Sequence, residues 1–117
     1  MANNRLGRIN EEIMRELSSI IRTLKDPRVS GAMVSITRVE ATPDMRYAKV
    51  YISVLGDDGA MKDCIRGLKS AAGFLRRELS SRLTLRYTPE LTFSPDDSIT
   101  YGAHIMELLE GLDKKND

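Results

Sequence analysis

Between Leu6 and Leu24 the apolar residues fall three and four apart: Leu6, Ile9, Ile13, Leu17, Ile20, Ile21 and Leu24. That spacing predicts a helix with one buried face. Arg8 and Glu12, and Glu11 and Arg15, stand four apart and can brace the exposed side. Lys25-Asp26-Pro27-Arg28 ends the helix, because proline disfavours helical geometry in the residue before it.

The period then changes. Met33 to Ala41 is rich in β-branched residues, and Arg46 to Leu55 alternates. Ala48, Val50, Ile52 and Val54 point one way; Tyr47, Lys49, Tyr51 and Ser53 point the other. The short Thr42-Pro43-Asp44 turn between the two strands predicts an antiparallel hairpin. Gly56-Asp57-Asp58-Gly59 is a loop, with Asp58 the expected N-cap of the next helix. From Met61 the helical spacing returns: Met61, Ile65, Leu68, Ala72, Leu75, Leu79, Leu83. It predicts one amphipathic helix to about Leu83, interrupted by Gly73, which costs about 1 kcal/mol relative to alanine.

Thr88-Pro89 breaks the chain again. Glu90 to Phe93 reads as a short strand with Leu91 and Phe93 on one face. Ser94-Pro95-Asp96-Asp97 reads as a helix start, with Ile105, Leu108, Leu109 and Leu112 on the apolar face beyond it. Residues 113–117 are expected to fray. The order is helix, strand, strand, helix–Gly–helix, strand, helix. It predicts an α+β fold: a three-stranded sheet with helices on one face.

Length and composition narrow the class. A chain of 117 residues, 41% hydrophobic and 30% charged, has room for one globular domain, here taken as residues 1–112. No apolar run reaches membrane-spanning length, and the first residues carry no apolar signal core. One cysteine, Cys64, excludes an internal disulfide and a cysteine-based zinc cluster. A reduced cytoplasm is the expected compartment.

The net charge of +1 hides an asymmetry. Residues 1–40 hold seven basic and five acidic residues; 41–89 hold nine and five; 90–117 hold two and seven. A basic body suits an anionic partner. Its densest part is the second helical region, where Lys62, Arg66 and Lys69 are spaced four and three. That series continues to Gly73 and Arg76, with Arg77 beside them and Arg82 and Arg86 beyond. Two readings compete. One is a solvated helix face whose glycine is kept for packing. The other is a phosphate-binding face on which the bare glycine lets a nucleic-acid backbone approach. The glycine in register with the cations favours the second.

Other candidates are weaker. Tyr47, Lys49 and Tyr51 could stack unpaired bases, although ordinary strand residues explain them more simply. Arg8, Arg15 and Arg22 form a second basic line, read as a salt-braced surface. Gly56 to Gly59 has the letters of a nucleotide-clamping GxxG, but its two aspartates would repel phosphate. His104 has no evident acid–base partner, Asp96 and Asp97 read as first-turn acids, and no Walker, Rossmann or triad pattern is present. An enzyme is not expected, and neither is a metal or a cofactor.

Several runs resemble ribosome-binding factor A of bacteria. They are Leu24-Lys25-Asp26-Pro27-Arg28; Val39-Glu40-Ala41-Thr42-Pro43-Asp44 leading into Tyr47-Ala48-Lys49-Val50-Tyr51; Ala71-Ala72-Gly73-Phe74-Leu75-Arg76; and Leu85 to Phe93. They follow in the right order, and the resemblance covers roughly Arg5 to Leu112. The resemblance implies a type II KH-like fold in which an Ala-x-Gly kink, here Ala71 and Gly73, replaces the usual loop between the two central helices. It implies a non-catalytic factor that binds the free small (30S) ribosomal subunit and assists late maturation of 16S rRNA, including its 5′ end, with a role in the cold. On this reading Lys69, Arg76 and Arg77 hold rRNA phosphates, and Lys62, Arg66, Arg82 and Arg86 add to the field. Arg8, Arg15, Arg22, Arg28, Tyr47, Lys49 and Tyr51 are secondary candidates. Ribosomal proteins and other assembly factors are further expected partners, and a monomer is the simplest expectation. The rival reading is a protein-interaction module that uses Tyr47, Tyr51 and the first helix against a ribosomal protein or a second copy, without touching RNA.

Overall fold

The computed structural model describes residues 2–85 and 87–96. The order is α1 (Ala2–Ile21), α2 (Pro27–Ser30), β1 (Met33–Ala41), β2 (Tyr47–Leu55), α3 (Asp58–Ser70), α4 (Ala72–Arg82) and β3 (Glu90–Pro95). The strands form one sheet in the order β1-β2-β3. β1 and β2 pair antiparallel, and β3 joins β2 in parallel after the crossover through α3 and α4. Helices α1, α3 and α4 pack against the sheet, the α+β, KH-like arrangement expected from the sequence.

The helical and strand periods meet in one core. α1 contributes Ile13, Leu17, Ile20 and Ile21; β2 contributes Ala48, Val50 and Ile52; α3 and α4 contribute Leu68, Leu75 and Leu79. Each fully buried Leu or Ile side chain contributes about 1.5–3 kcal/mol relative to exposure. β3 adds Leu91 and Phe93 from a single face, as the alternation predicts.

β1 has a register shift between Ile36 and Arg38. Val34 and Ile36 face the core before it; Val39 and Ala41 face the core after it. An extra residue, Thr37, changes the parity so that both halves of the strand stay apolar side inward. The same shift sets Arg38 opposite Tyr51 and Glu40 opposite Lys49 on the outer face.

Four expectations are corrected. α1 stops at Ile21, and Pro27–Ser30 forms a separate short helix capped by the Asp26 side chain, which accepts from Arg28 N. One turn is too short to leave a periodic signature. The N-cap of α3 is Asp57, not Asp58: its carboxylate accepts from Ala60 N at 2.8 Å. The amphipathic run from Met61, one helix by its period, is two helices broken at Ala71, the kink that the resemblance implies. Ser94 and Pro95 do not start a helix; both belong to β3, where Pro95 pairs with Ile52 and Asp96 N donates to Ile52 O at 2.9 Å. An edge strand tolerates a proline at its end for the same reason a helix start does, since neither needs that N–H. The apolar positions Ile105 to Leu112, the tail 113–117 and His104 lie outside the described residues.

Candidate nucleic-acid interface

The break at Ala71 divides the basic stripe. Lys62, Arg66 and Lys69 form one exposed row on α3, and Arg76 and Arg77 follow on α4. Ala71 is the C-cap of α3 and the N-cap residue of α4, and no side chain caps α4. Gly73, in the first turn of α4, is exposed. A Cβ built on it meets none of the other described residues within 4 Å. Its φ is not positive either, because Gly56 is the positive-φ glycine among the described residues. Among the described residues, neither packing nor backbone conformation therefore requires a glycine at this position. Packing is the task of another glycine, Gly67 in α3, where a Cβ would meet Val29 Cγ2 at 2.7 Å and Arg28 Cβ at 3.3 Å. Gly67 carries no signal in a single sequence, because the close approach is tertiary.

The cations differ in how far they are committed. Arg76 Nε and Nη2 both donate to Thr88 O, at 3.1 and 2.8 Å, and tie α4 to the segment before β3. Arg82 Nη1 lies 3.4 Å from Glu16 Oε2 and 3.3 Å from Ser19 Oγ, so it joins α4 to α1. Arg66 has only a loose contact, 3.8 Å, to Asp63. The side chains of Lys62, Lys69 and Arg77 make no hydrogen bond or ion pair with the other described residues. Arg86 lies outside the described residues. Phe74, 40% exposed beside Gly73, adds an aromatic surface to this face that an apolar-core reading of the helix passes over.

The secondary candidates separate as well. Arg8 and Arg15 are exposed on α1, and Arg22 is exposed just past its end. Arg28 is bound up with Asp26, with Nη2 to Oδ2 at 2.6 Å. Hydrogen bonds from the Arg28 side chain and N–H hold the Asp26 carboxyl below the usual carboxylate range. Tyr51 is enclosed by its own face: Arg38 Cζ lies 4.2 Å and Lys49 Nζ 5.2 Å from its ring centre, and its hydroxyl donates to Glu40 at 3.3 Å. Tyr47 does not share in that cluster and is 52% exposed. Arg38 is not among the sequence candidates; the Thr37 shift brings it over the ring. Cys64 is fully buried in the core, and burial pushes its thiol pKa up, away from reactivity. Among the described residues no cluster of His, Cys, Asp and Glu could hold a metal ion. No helix among them is long and apolar enough to cross a membrane.

The comparisons with known proteins agree with one another. Residues 5–109 match the family model for ribosome-binding factor A. The ribosome-binding factor A of Clostridium tetani is 52% identical over 118 residues, covering 100% of this chain and 97% of that protein. A Thermotoga maritima protein, solved by solution NMR and assigned as a ribosome-binding factor A, superposes with a TM-score of 0.70 at 36% identity. That match covers 77% of this chain and 85% of the other. The Thermus thermophilus factor, as fitted into an electron-microscopy map of its complex with the 30S subunit, gives a TM-score of 0.61 at 26% identity. It covers 76% and 92%. A sheet crossed by a helix pair kinked at Ala71, and a sequence match running through that kink from α1 to beyond β3, place the chain in the ribosome-binding factor A family.

Proposed function

We propose that this protein is a non-catalytic assembly factor that binds the free small ribosomal subunit through the α3–α4 face and assists late maturation of 16S rRNA, including its 5′ end. The observation that carries the reading is Gly73. It is an exposed helical glycine with no packing or conformational reason among the described residues, four residues from Lys69 on one side and from Arg77 on the other. A missing side chain between two uncommitted cations makes room for a ribose-phosphate backbone. The positive end of α4 favours the same anion. The Thermus thermophilus relative, fitted into a 30S complex, supports the small subunit as the partner. Structured RNA is read mostly by shape and backbone, which suits a rigid helix pair on a sheet. Binding an immature RNA conformation more tightly than the mature one shifts the population toward productive folding, and maturation then releases the factor. A part in growth at low temperature belongs to the same reading, as the family resemblance implies.

Co-sedimentation with isolated small subunits and whole ribosomes across a salt series tests this. Lys69→Ala/Arg77→Ala is the informative pair, because Arg76 also holds Thr88 in place. Each lost phosphate contact flattens the slope of log affinity against log salt by about 0.7–0.9. The double variant is expected to bind more weakly and with a slope shallower by about 1.5. Equal binding by variant and wild type would move the contact away from α3 and α4. Cleavage of precursor rRNA by the purified protein would overturn the non-catalytic reading.

A further inference from the structure

A second site lies at the start of β2, away from the α3 row. A groove of about 480 Å³ opens there between the β1–β2 turn, the N-terminal end of α4 and the segment leading into β3. That volume falls within the roughly 300–1,000 Å³ of small-ligand sites. Tyr47 and Tyr87 line it, 52% and 58% exposed. Arg46, Arg76, Asp44 and Glu90 complete its polar lining.

The fold positions Tyr47, Glu90, Asp44 and Arg76. Tyr47 and Glu90 are partners across the parallel β2–β3 ladder, so their side chains leave the same face side by side. Glu90 N donates to Arg46 O at 2.8 Å, which fixes the turn against β3. Met45 sits at φ 63°, an uncommon conformation for a side chain of that size. It is held by its N–H on Thr42 O at 2.8 Å. Asp44 is engaged within its own turn: its carboxylate accepts from Thr42 Oγ1 at 2.6 Å and Arg46 N at 3.1 Å, and these bonds lower its pKa. The Arg46 guanidinium is left 78% exposed, with Nε only loosely placed, 3.9 Å from Asp44. Arg76 spends two of its donors on Thr88 O, which leaves the others of the five a guanidinium carries. The Glu90 carboxylate makes no hydrogen bond or ion pair with the other described residues.

The geometry points to a binding site for one unpaired nucleotide of RNA. Its base stacks on Tyr47 and Tyr87, its phosphate meets Arg46 and Arg76, and its edge donates to Glu90. Aromatic rings beside cations are the common device for holding single-stranded bases. An ionised carboxylate is acceptor-only, so it selects a base edge rich in donors, which among the four bases is guanine. The inference rests on RNA being the partner, as proposed above, and shares only Arg76 with the α3–α4 face.

The probes are two labelled single-stranded hexaribonucleotides, UUUUUU and UUUGUU, titrated across a salt series. The chain has four tyrosines and no tryptophan, so quenching of tyrosine emission reports the rings themselves. Tyr47→Ala and Tyr87→Ala are expected to weaken UUUGUU about tenfold each with an unchanged salt slope, while Tyr47→Phe and Tyr87→Phe bind like wild type. Circular dichroism checks that all four are folded. Alanine variants that bind like wild type, or phenylalanine variants that lose as much as alanine, would overturn the site. Wild type is expected to prefer UUUGUU over UUUUUU, and Glu90→Gln to lose that preference; equal binding of the two would remove Glu90 from it. The α3–α4 face is read out separately, by the small-subunit salt slope of Lys69→Ala/Arg77→Ala. Failure there with tyrosine-dependent oligonucleotide binding intact would leave the groove standing; the reverse pattern would leave the helix face standing.

Discussion

A Cβ added to Gly67 meets Val29 Cγ2 at 2.7 Å, and one added to Gly73 meets none of the other described residues within 4 Å. The two glycines are six residues apart, on either side of the break at Ala71. At Gly67 the missing side chain lets α3 close onto α2, with Val29 buried between them. At Gly73 the missing side chain makes room for none of the other described residues. The same residue type thus marks an internal contact at one junction and an external one at the other. What distinguishes them is the neighbour each lacks a side chain for, and that is visible only in three dimensions.

Gly67→Ala is the largest expected effect. Overpacking against Val29 costs about 1–3 kcal/mol, read as a fall in melting temperature of several degrees and a lower urea midpoint. Adding Val29→Ala opens the space, so the double variant is expected to lose less than the sum of the two single losses. Additive losses would separate Gly67 from Val29 and weaken the comparison. Gly73→Ala has the opposite sign for stability. It should gain up to about 1 kcal/mol of helix propensity while binding small subunits less tightly. A stability loss there would mean that Gly73 answers to an internal neighbour after all.

The smallest effect sharpens the Gly67 side. Asp26 Oδ2 lies 3.4 Å from the place of a Gly67 Cβ and belongs to the same junction. Its pKa is lowered in the fold by the hydrogen bonds from Arg28. A lowered folded pKa contributes stability that is present above the unfolded value, near pH 4, and is lost as pH falls through the folded value. The wild type should therefore lose stability below about pH 4, and Asp26→Asn should decline less steeply there. Asp44, lowered in the same direction by Thr42 and Arg46, keeps part of the slope in that variant. Denaturant melts at pH 7, 4 and 3 make the comparison. A variant as acid-sensitive as the wild type would take Asp26 out of the junction's pH response.

The strands and the two long helical regions were legible because their periods, 2 and 3.6, come from backbone geometry that no neighbour alters. Val34 and Ile36 against Val39 and Ala41 even carry the parity change that Thr37 produces, although only the pairing reveals it. α2 has too few residues for a period. Ser94-Pro95 carries a signal shared by helix starts and strand ends, and the pairing with Ile52 decided it. In the site, the cations were readable as a stripe, but their commitments were not. Arg76 on Thr88, Arg82 on Glu16 and Arg38 over Tyr51 each join residues distant in sequence or displaced by the register shift. The groove drew on Tyr47 and Arg76 from the candidates, yet Tyr87, Arg46 and Glu90 gave no pattern of their own.

The parallel pairing of β3 has a kinetic side. The hairpin closes at Ala41 and Ala48, seven positions apart, whereas Tyr47 pairs with Glu90, forty-three positions on. Loop-closure entropy makes the second about 1.6 kcal/mol more costly to bring together. Local contacts of this kind form first, and long crossovers close late. Leu91 and Phe93 then reach the core only when the crossover through α3 and α4 is already in place. The ladder that seats Tyr47 beside Glu90 forms in that same step. A chain with its hairpin made and β3 still loose has no groove at all, so nucleotide capture there reports the completion of folding.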